Sequence, residues 1–134
     1  MPYKNIFVAL SGKTDEIPLI DEAVRLALTL KADLNVVHVN ALHAGEISML
    51  MDSPKKYDEE YFKKMFYDAG HEEVSKNVKI KLTTNKSISK GIAELVTGSD
   101  LLIIGHGKMG KMKEILTDSI DEMTVNDVKC PVLI

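Results

Sequence analysis

Leu101-Leu102-Ile103-Ile104-Gly105-His106-Gly107 is the stretch that decides the fold. Four apolar residues without alternation, closed by glycine, describe a strand covered on both faces, and such strands belong to the interior of parallel sheets. Ile6-Phe7-Val8-Ala9-Leu10, closed by Ser11-Gly12, has the same character. Leu34-Asn35-Val36-Val37-His38-Val39 gives a further buried strand. Val78-Lys79-Ile80-Lys81-Leu82 alternates strictly and reads as a half-exposed edge. Pro131-Val132-Leu133-Ile134 reads as a last strand. Strands are therefore expected near residues 5–10, 34–39, 78–83, 101–105 and 131–134, all parallel, with the first and fourth adjacent.

The intervening segments carry helical spacing. Ile17 to Lys31 places Ile20, Ala23, Val24, Ala27 and Leu28 on one side. Tyr57 to Lys76 reads as one helix, with Tyr61, Phe62, Met65, Phe66 and Ala69 inward. Ser87 caps a short helix that runs to Gly98 and buries Ile88, Ile92, Leu95 and Val96. Ser119-Ile120-Asp121-Glu122 is a capping box that opens a final helix. Residues 40–56, with Gly45 and Pro54, are irregular. Strand and helix thus alternate throughout. The expected fold class is α/β, a five-stranded doubly wound parallel sheet with helices on both faces. Such sheets bind ligands past the strand C-termini where the winding reverses. The flanking loops are then Ser11-Gly12-Lys13-Thr14 and Gly105-His106-Gly107-Lys108-Met109-Gly110-Lys111.

The 134 residues, 45% hydrophobic and 28% charged, fit a single domain over residues 1–134. One cysteine, Cys130, excludes an internal disulfide or multi-cysteine metal site and fits a reducing cytoplasm. Its only charged sequence neighbour is Lys129, so it reads as an inert thiol. The N-terminus leads straight into a strand and not a secretory segment, and no apolar run is long enough for a membrane span. The net charge of −3 argues against nucleic-acid binding. Positive charge is local: Lys108, Lys111 and Lys113 share one segment without an acid.

That segment is the strongest chemical signal. Gly105, Gly107 and Gly110 let backbone N–H groups approach an anion, and the helix start at Ser119 adds orphan donors. A solvated surface turn is the competing reading, and neither standard nucleotide fingerprint is present. His106 sits in this loop within reach of a phosphate. His38, inside a strand, reads as a hydrogen-bonded core histidine. His43 and His71 have no metal-ligand spacing, so no metal site is expected. Ser11, Ser119 and His106 lack the orienting carboxylate of a nucleophilic triad.

Ser99-Asp100-Leu101-Leu102-Ile103-Ile104-Gly105-His106-Gly107, the Ser-led helix and Lys129-Cys130-Pro131-Val132-Leu133-Ile134 together resemble the universal stress protein family, from Lys4 to Ile134. The resemblance implies a dimer paired through the C-terminal strand, and, in many members, an ATP site. The family motif is Gly, two residues, Gly, nine residues, then Gly-Ser or Gly-Thr. Here Gly105 and Gly107 are separated by one residue, not two, and Asp118 replaces the last glycine. Ser11 stands where ATP-binding members carry the acid that holds the ribose. Ser119 matches the phosphate-binding hydroxyl and Ile120 its following aliphatic. Val39 matches the adenine-contacting backbone, and Ala9 and Leu10 the pocket wall. Asp118, Asp121 and Glu122 repel a triphosphate at the helix start, while Lys108, Lys111 and Lys113 oppose that repulsion from the loop side.

The expectation is a small cytoplasmic, dimeric stress-response or regulatory module. It binds an adenine nucleotide (ATP or AMP) weakly at Ala9, Leu10, Ser11, Val39, Gly105, His106, Gly107, Lys108, Gly110, Asp118, Ser119 and Ile120. Magnesium enters only with a triphosphate, and neither nucleic acid nor membrane is a partner. The alternatives are a nucleotide-free interaction protein of the same family and a slow ATPase with Asp118 as metal carboxylate.

Overall fold

The structure, a computed structural model, describes residues 3–40, 56–105 and 131–133. The strands are β1 (Asn5–Ala9), β2 (Asp33–Asn40), β3 (Lys79–Thr84), β4 (Leu101–Ile104) and β5 (Val132–Leu133). The α-helices are α1 (Ile17–Leu30), α2 (Glu59–Asp68), α3 (Glu72–Asn77) and α4 (Ile88–Leu95), with a 3-10 turn at Thr14–Glu16 leading into α1. The sheet order is β3-β2-β1-β4-β5. Every neighbouring pair is parallel, and β1 lies against β4 in the register Ile6↔Leu101 to Ala9↔Ile104.

The pleat sorts the core into two halves. Ile6, Val8, Leu34, Val36 and Ile103 face one way, toward Ile20, Ala23 and Val24 of α1 and Phe62, Met65 and Phe66 of α2. Phe7, Val37, Val39, Leu102 and Ile104 face the other way, toward Ile92 of α4 and Val96 at its C-cap. Helices therefore cover both faces, as the unbroken apolar runs of β1 and β4 require. Phe62 and Phe66 are wholly enclosed, and each contributes about 1.5–3 kcal/mol by burial. The alternating strand β3 is the sheet edge, half-exposed along most of its length.

Local chemistry sets the boundaries. Pro18 occupies the first turn of α1, where its missing N–H leaves no bond unmade. Lys31 ends the helix in the left-handed conformation, and the Ala32 N–H closes it onto the Ala27 carbonyl at 2.9 Å. Asp58 caps α2 by accepting the Tyr61 N–H at 2.9 Å. Ser87 caps α4 by accepting the Lys90 N–H at 3.3 Å. The Asp100 carboxylate accepts the N–H groups of Lys4 and Asn5, each at 2.8 Å, and so fixes the starts of β1 and β4 together.

The single helix expected over 57–76 is two. Gly70 has φ +92°, and the chain breaks at Ala69-Gly70-His71 before α3 begins. A left-handed residue cannot continue an α-helix, and glycine adopts that conformation without a Cβ penalty. Among the described residues no helix is long and apolar enough to cross a membrane.

Candidate functional site

Winding runs from β1 through β2 to β3 on one side and resumes at β4 on the other side of β1. α1 and α2 pack on one face and α4 on the opposite face. The crevice beyond β1 and β4 is therefore the reversal point of the sheet. Ala9 and Ile104 form the last pair across it, and Leu10, Ser11 and a buried Gly105 follow directly.

Five of the twelve sequence-predicted site residues are described, and they converge here: Ala9, Leu10, Ser11 and Gly105 at the crevice, and Val39 one strand over. His106, Gly107, Lys108, Gly110, Asp118, Ser119 and Ile120 lie outside the described residues, as does the expected last helix. Leu10 N–H donates to the Val37 carbonyl at 3.1 Å, the last rung between β1 and β2. Residues two apart on a strand direct their backbone groups to the same side, so Val39 presents its N–H and C=O above that rung. Its side chain points away, packed under Gly91 of α4, where a Cβ would stand 2.7 Å from Val39 Cγ2.

The loop after β1 is held by a residue that sequence reasoning passed over. Glu16, 1% exposed, turns its carboxylate back under the loop. Oε1 accepts the N–H groups of Ser11, Gly12 and Lys13 at 3.0, 2.9 and 3.1 Å, and Oε2 accepts Ser11 N–H at 2.9 Å. Burial pushes the Glu16 carboxyl above its ordinary value, and these amides pull against that rise. The Ser11 hydroxyl lies near the same carboxylate, enclosed and outside hydrogen-bond geometry. Lys13-Thr14-Asp15-Glu16 has the spacing of a capping box. The signal was muted because lysine stands where Ser or Thr is the usual mark.

Aromatic residues close the other side. The Tyr61 hydroxyl donates to the Gly12 carbonyl at 2.5 Å, and the Tyr57 ring lies over Gly12, stacked on Tyr61 with centroids 4.3 Å apart. His38 is buried as expected, its Nδ1 2.7 Å from the Leu10 carbonyl and its Nε2 3.1 Å from Asn40 Oδ1. The backbone of residues 10–13 is thus gripped by His38, Glu16 and Tyr61. Among the described residues no group of three or more His, Cys, Asp or Glu side chains could hold a metal ion. A shallow apolar groove of about 220 Å³ between α1 and α3, lined by Val24, Leu28, Leu34 and Val74, includes none of the predicted site residues.

A sequence profile of the Universal stress protein family matches residues 2–134. No curated protein matches by sequence. Solved structures do match over nearly the whole chain. Universal stress protein UspA from Lactobacillus plantarum superposes with a TM-score of 0.64 at 18% identity, covering 99% of this chain and 97% of that one. A universal stress protein in complex with cAMP gives 0.62 at 14% identity, with 99% and 96% covered. The universal stress protein from Archaeoglobus fulgidus in complex with dAMP gives 0.59 at 18% identity, with 99% and 98% covered.

Proposed function

The chain belongs to the universal stress protein family, and on that premise we propose that it is a small, non-catalytic cytoplasmic module that takes an adenine nucleotide weakly in the crevice beyond β1 and β4. One observation carries the reading: the strand order brings β1 and β4 side by side at the winding reversal, so that Ala9, Leu10, Ser11 and Gly105 share one cleft. Two relatives of the same fold were crystallised with cAMP and dAMP. In this chain the base lies against Ala9, Leu10 and the Val39 backbone. Gly105 leads the phosphates toward Gly107, Lys108, Gly110 and Ser119. Magnesium accompanies a triphosphate only. Two copies pair through β5, whose outer side carries no strand in the described sheet.

Two observations favour the nucleotide-free alternative: Glu16 already occupies the amides of the β1 loop, and Tyr57 lies over Gly12. Calorimetry separates the readings. Asp118→Gly removes a negative charge and frees the backbone where the family carries glycine. ATP binding should tighten, and AMP binding should tighten less because AMP lacks the distal charge. Lys108→Ala should weaken both. If wild type and both variants give no heat with ATP, the nucleotide-free module is correct. If ATP binds wild type tightly and Asp118→Gly weakens it, Asp118 acts through a metal ion and the slow ATPase takes the lead.

A further inference from the structure

His38 is bracketed by two oxygens that can only accept. The Leu10 carbonyl stands 2.7 Å from Nδ1, and Asn40 Oδ1 stands 3.1 Å from Nε2. A neutral imidazole has one N–H and so satisfies one of them, leaving a ring lone pair against the other oxygen. The Asn40 amide cannot turn over without loss. Its Oδ1 accepts the Tyr57 N–H at 3.1 Å and its Nδ2 donates to the Tyr57 carbonyl at 3.4 Å. Reversed, it would give His38 a donor but would set NH2 against the Tyr57 N–H and oxygen against the Tyr57 oxygen. Neutral His38 therefore forces a choice between a lone-pair clash and the loss of both Tyr57 bonds.

We propose that His38 and Asn40 form a proton-operated latch on Tyr57, closed when the imidazole carries both ring protons and released when it carries one. The closed bridge ties the end of β2 to Tyr57, just ahead of the Asp58 cap of α2. Tyr57 is also the cover of the β1 loop, lying over Gly12 and stacked on Tyr61. Opening the latch frees that cover at the edge of the candidate cleft, whether or not the cleft takes a nucleotide.

Among the described residues, each packed element bears on the ring. The residue after β1 contributes the Leu10 carbonyl, and β3 places Leu82 opposite His38 in register. The α2 side contributes the Tyr57 and Phe62 rings at 5.6 and 4.9 Å, with the Tyr61 phenol beside them. Among the described residues, the Glu16 carboxylate grips the same loop at Ser11 and acts on Tyr61. Burial holds the imidazole below its ordinary value of 6.5, opposed by its bonds to Leu10 and Asn40. The latch therefore closes on acidification.

NMR on the full chain tests this. From pH 8 to pH 5 the His38 ring nitrogens, the Asn40 side-chain amide and the Tyr57 backbone amide should move with one midpoint. Hydrogen-exchange protection of Tyr57, corrected for intrinsic rate, should rise roughly tenfold or more on acidification, the factor expected of a hydrogen bond gained to a charged group. Asn40→Leu should lower the His38 midpoint, and His38→Gln should abolish the Tyr57 step while leaving the His71–Asp21 pair unchanged. The latch is overturned if Tyr57 and Asn40 stay flat while His38 titrates. It is equally overturned if His38 stays neutral down to the pH at which the chain unfolds, and both outcomes are read on wild type.

Discussion

Replacing Glu16 tests whether the β1 loop is built on a buried carboxylate. Glu16→Ala removes the acceptor of three N–H groups. Gly12 N–H lies in a buried contact, so orphaning it costs about 1–3 kcal/mol. Ser11 and Lys13 are part-buried and recover water, which leaves about 0.5–1 kcal/mol each. Relief of the desolvated charge offsets the lost side-chain burial, and the net loss should be about 2–4 kcal/mol. Glu16→Gln keeps an oxygen in the place of Oε1, which meets all three amides, and should lose about 1 kcal/mol. Urea unfolding followed by circular dichroism reads both at pH 7. Glu16 has a folded-state pKa above its ordinary 4.5, so the folded form binds the proton more readily than the unfolded form. Its contribution is full below pH 4.5 and lost as pH rises through the folded value. Wild type should therefore gain on Glu16→Gln as the pH falls toward 4.5. If Glu16→Ala unfolds within about 0.5 kcal/mol of wild type, the carboxylate does not hold the loop.

Gly91→Ala gains about 1 kcal/mol of helix propensity but puts a Cβ 2.7 and 2.9 Å from the two Val39 methyls. Overpacking of about 1–3 kcal/mol should outweigh the gain and move the Val39 backbone resonances, whereas net stabilisation would mean that α4 and β2 are not in close contact there. Asp100→Asn should flatten the acid limb of the stability curve. The Asn5 and Lys4 amides hold that carboxyl below its ordinary 3.8, so its contribution is present above that value and lost as the pH falls through the folded one. Equal acid limbs for wild type and Asp100→Asn in urea titrations would show that the two amides do not hold it.

The adjacency of β1 and β4 was legible because these two strands have no polar face to hide. Leu101-Leu102-Ile103-Ile104 and Ile6-Phe7-Val8-Ala9-Leu10 have no alternation, and the structure buries both faces of both strands. The break between α2 and α3 was not legible, because Phe62, Met65, Phe66 and Ala69 keep helical spacing up to it. Gly70 ends the helix by its backbone conformation, which spacing does not encode. Within the site, Ser11 and Gly105 could be placed because they follow directly on apolar strands, whereas Ala9, Leu10 and Val39 came from the family resemblance. Glu16 could not, since its role depends on the chain turning back onto Ser11-Gly12-Lys13. For His38, burial was readable from the strand. Its second acceptor was not, because Tyr57, seventeen residues beyond Asn40, orients that amide.

Charge divides between the two loops to which the sequence assigns the cleft. The amides after β1 that would otherwise welcome an oxyanion are taken by a carboxylate of the same chain, and the carboxylate is itself an anion at that end. Beyond Gly105 the sequence carries Lys108, Lys111 and Lys113 with no acid among them. On the proposed reading, a ligand that spans the cleft must therefore be polarised. Its uncharged, flat end faces Ala9, Leu10 and the Val39 backbone, and its anionic end faces the β4 side. Reversed, its phosphate would meet Glu16 and lose the lysines, two penalties of the same sign. The orientation thus follows from Glu16, whose carboxylate holds the β1 loop through Ser11 N–H.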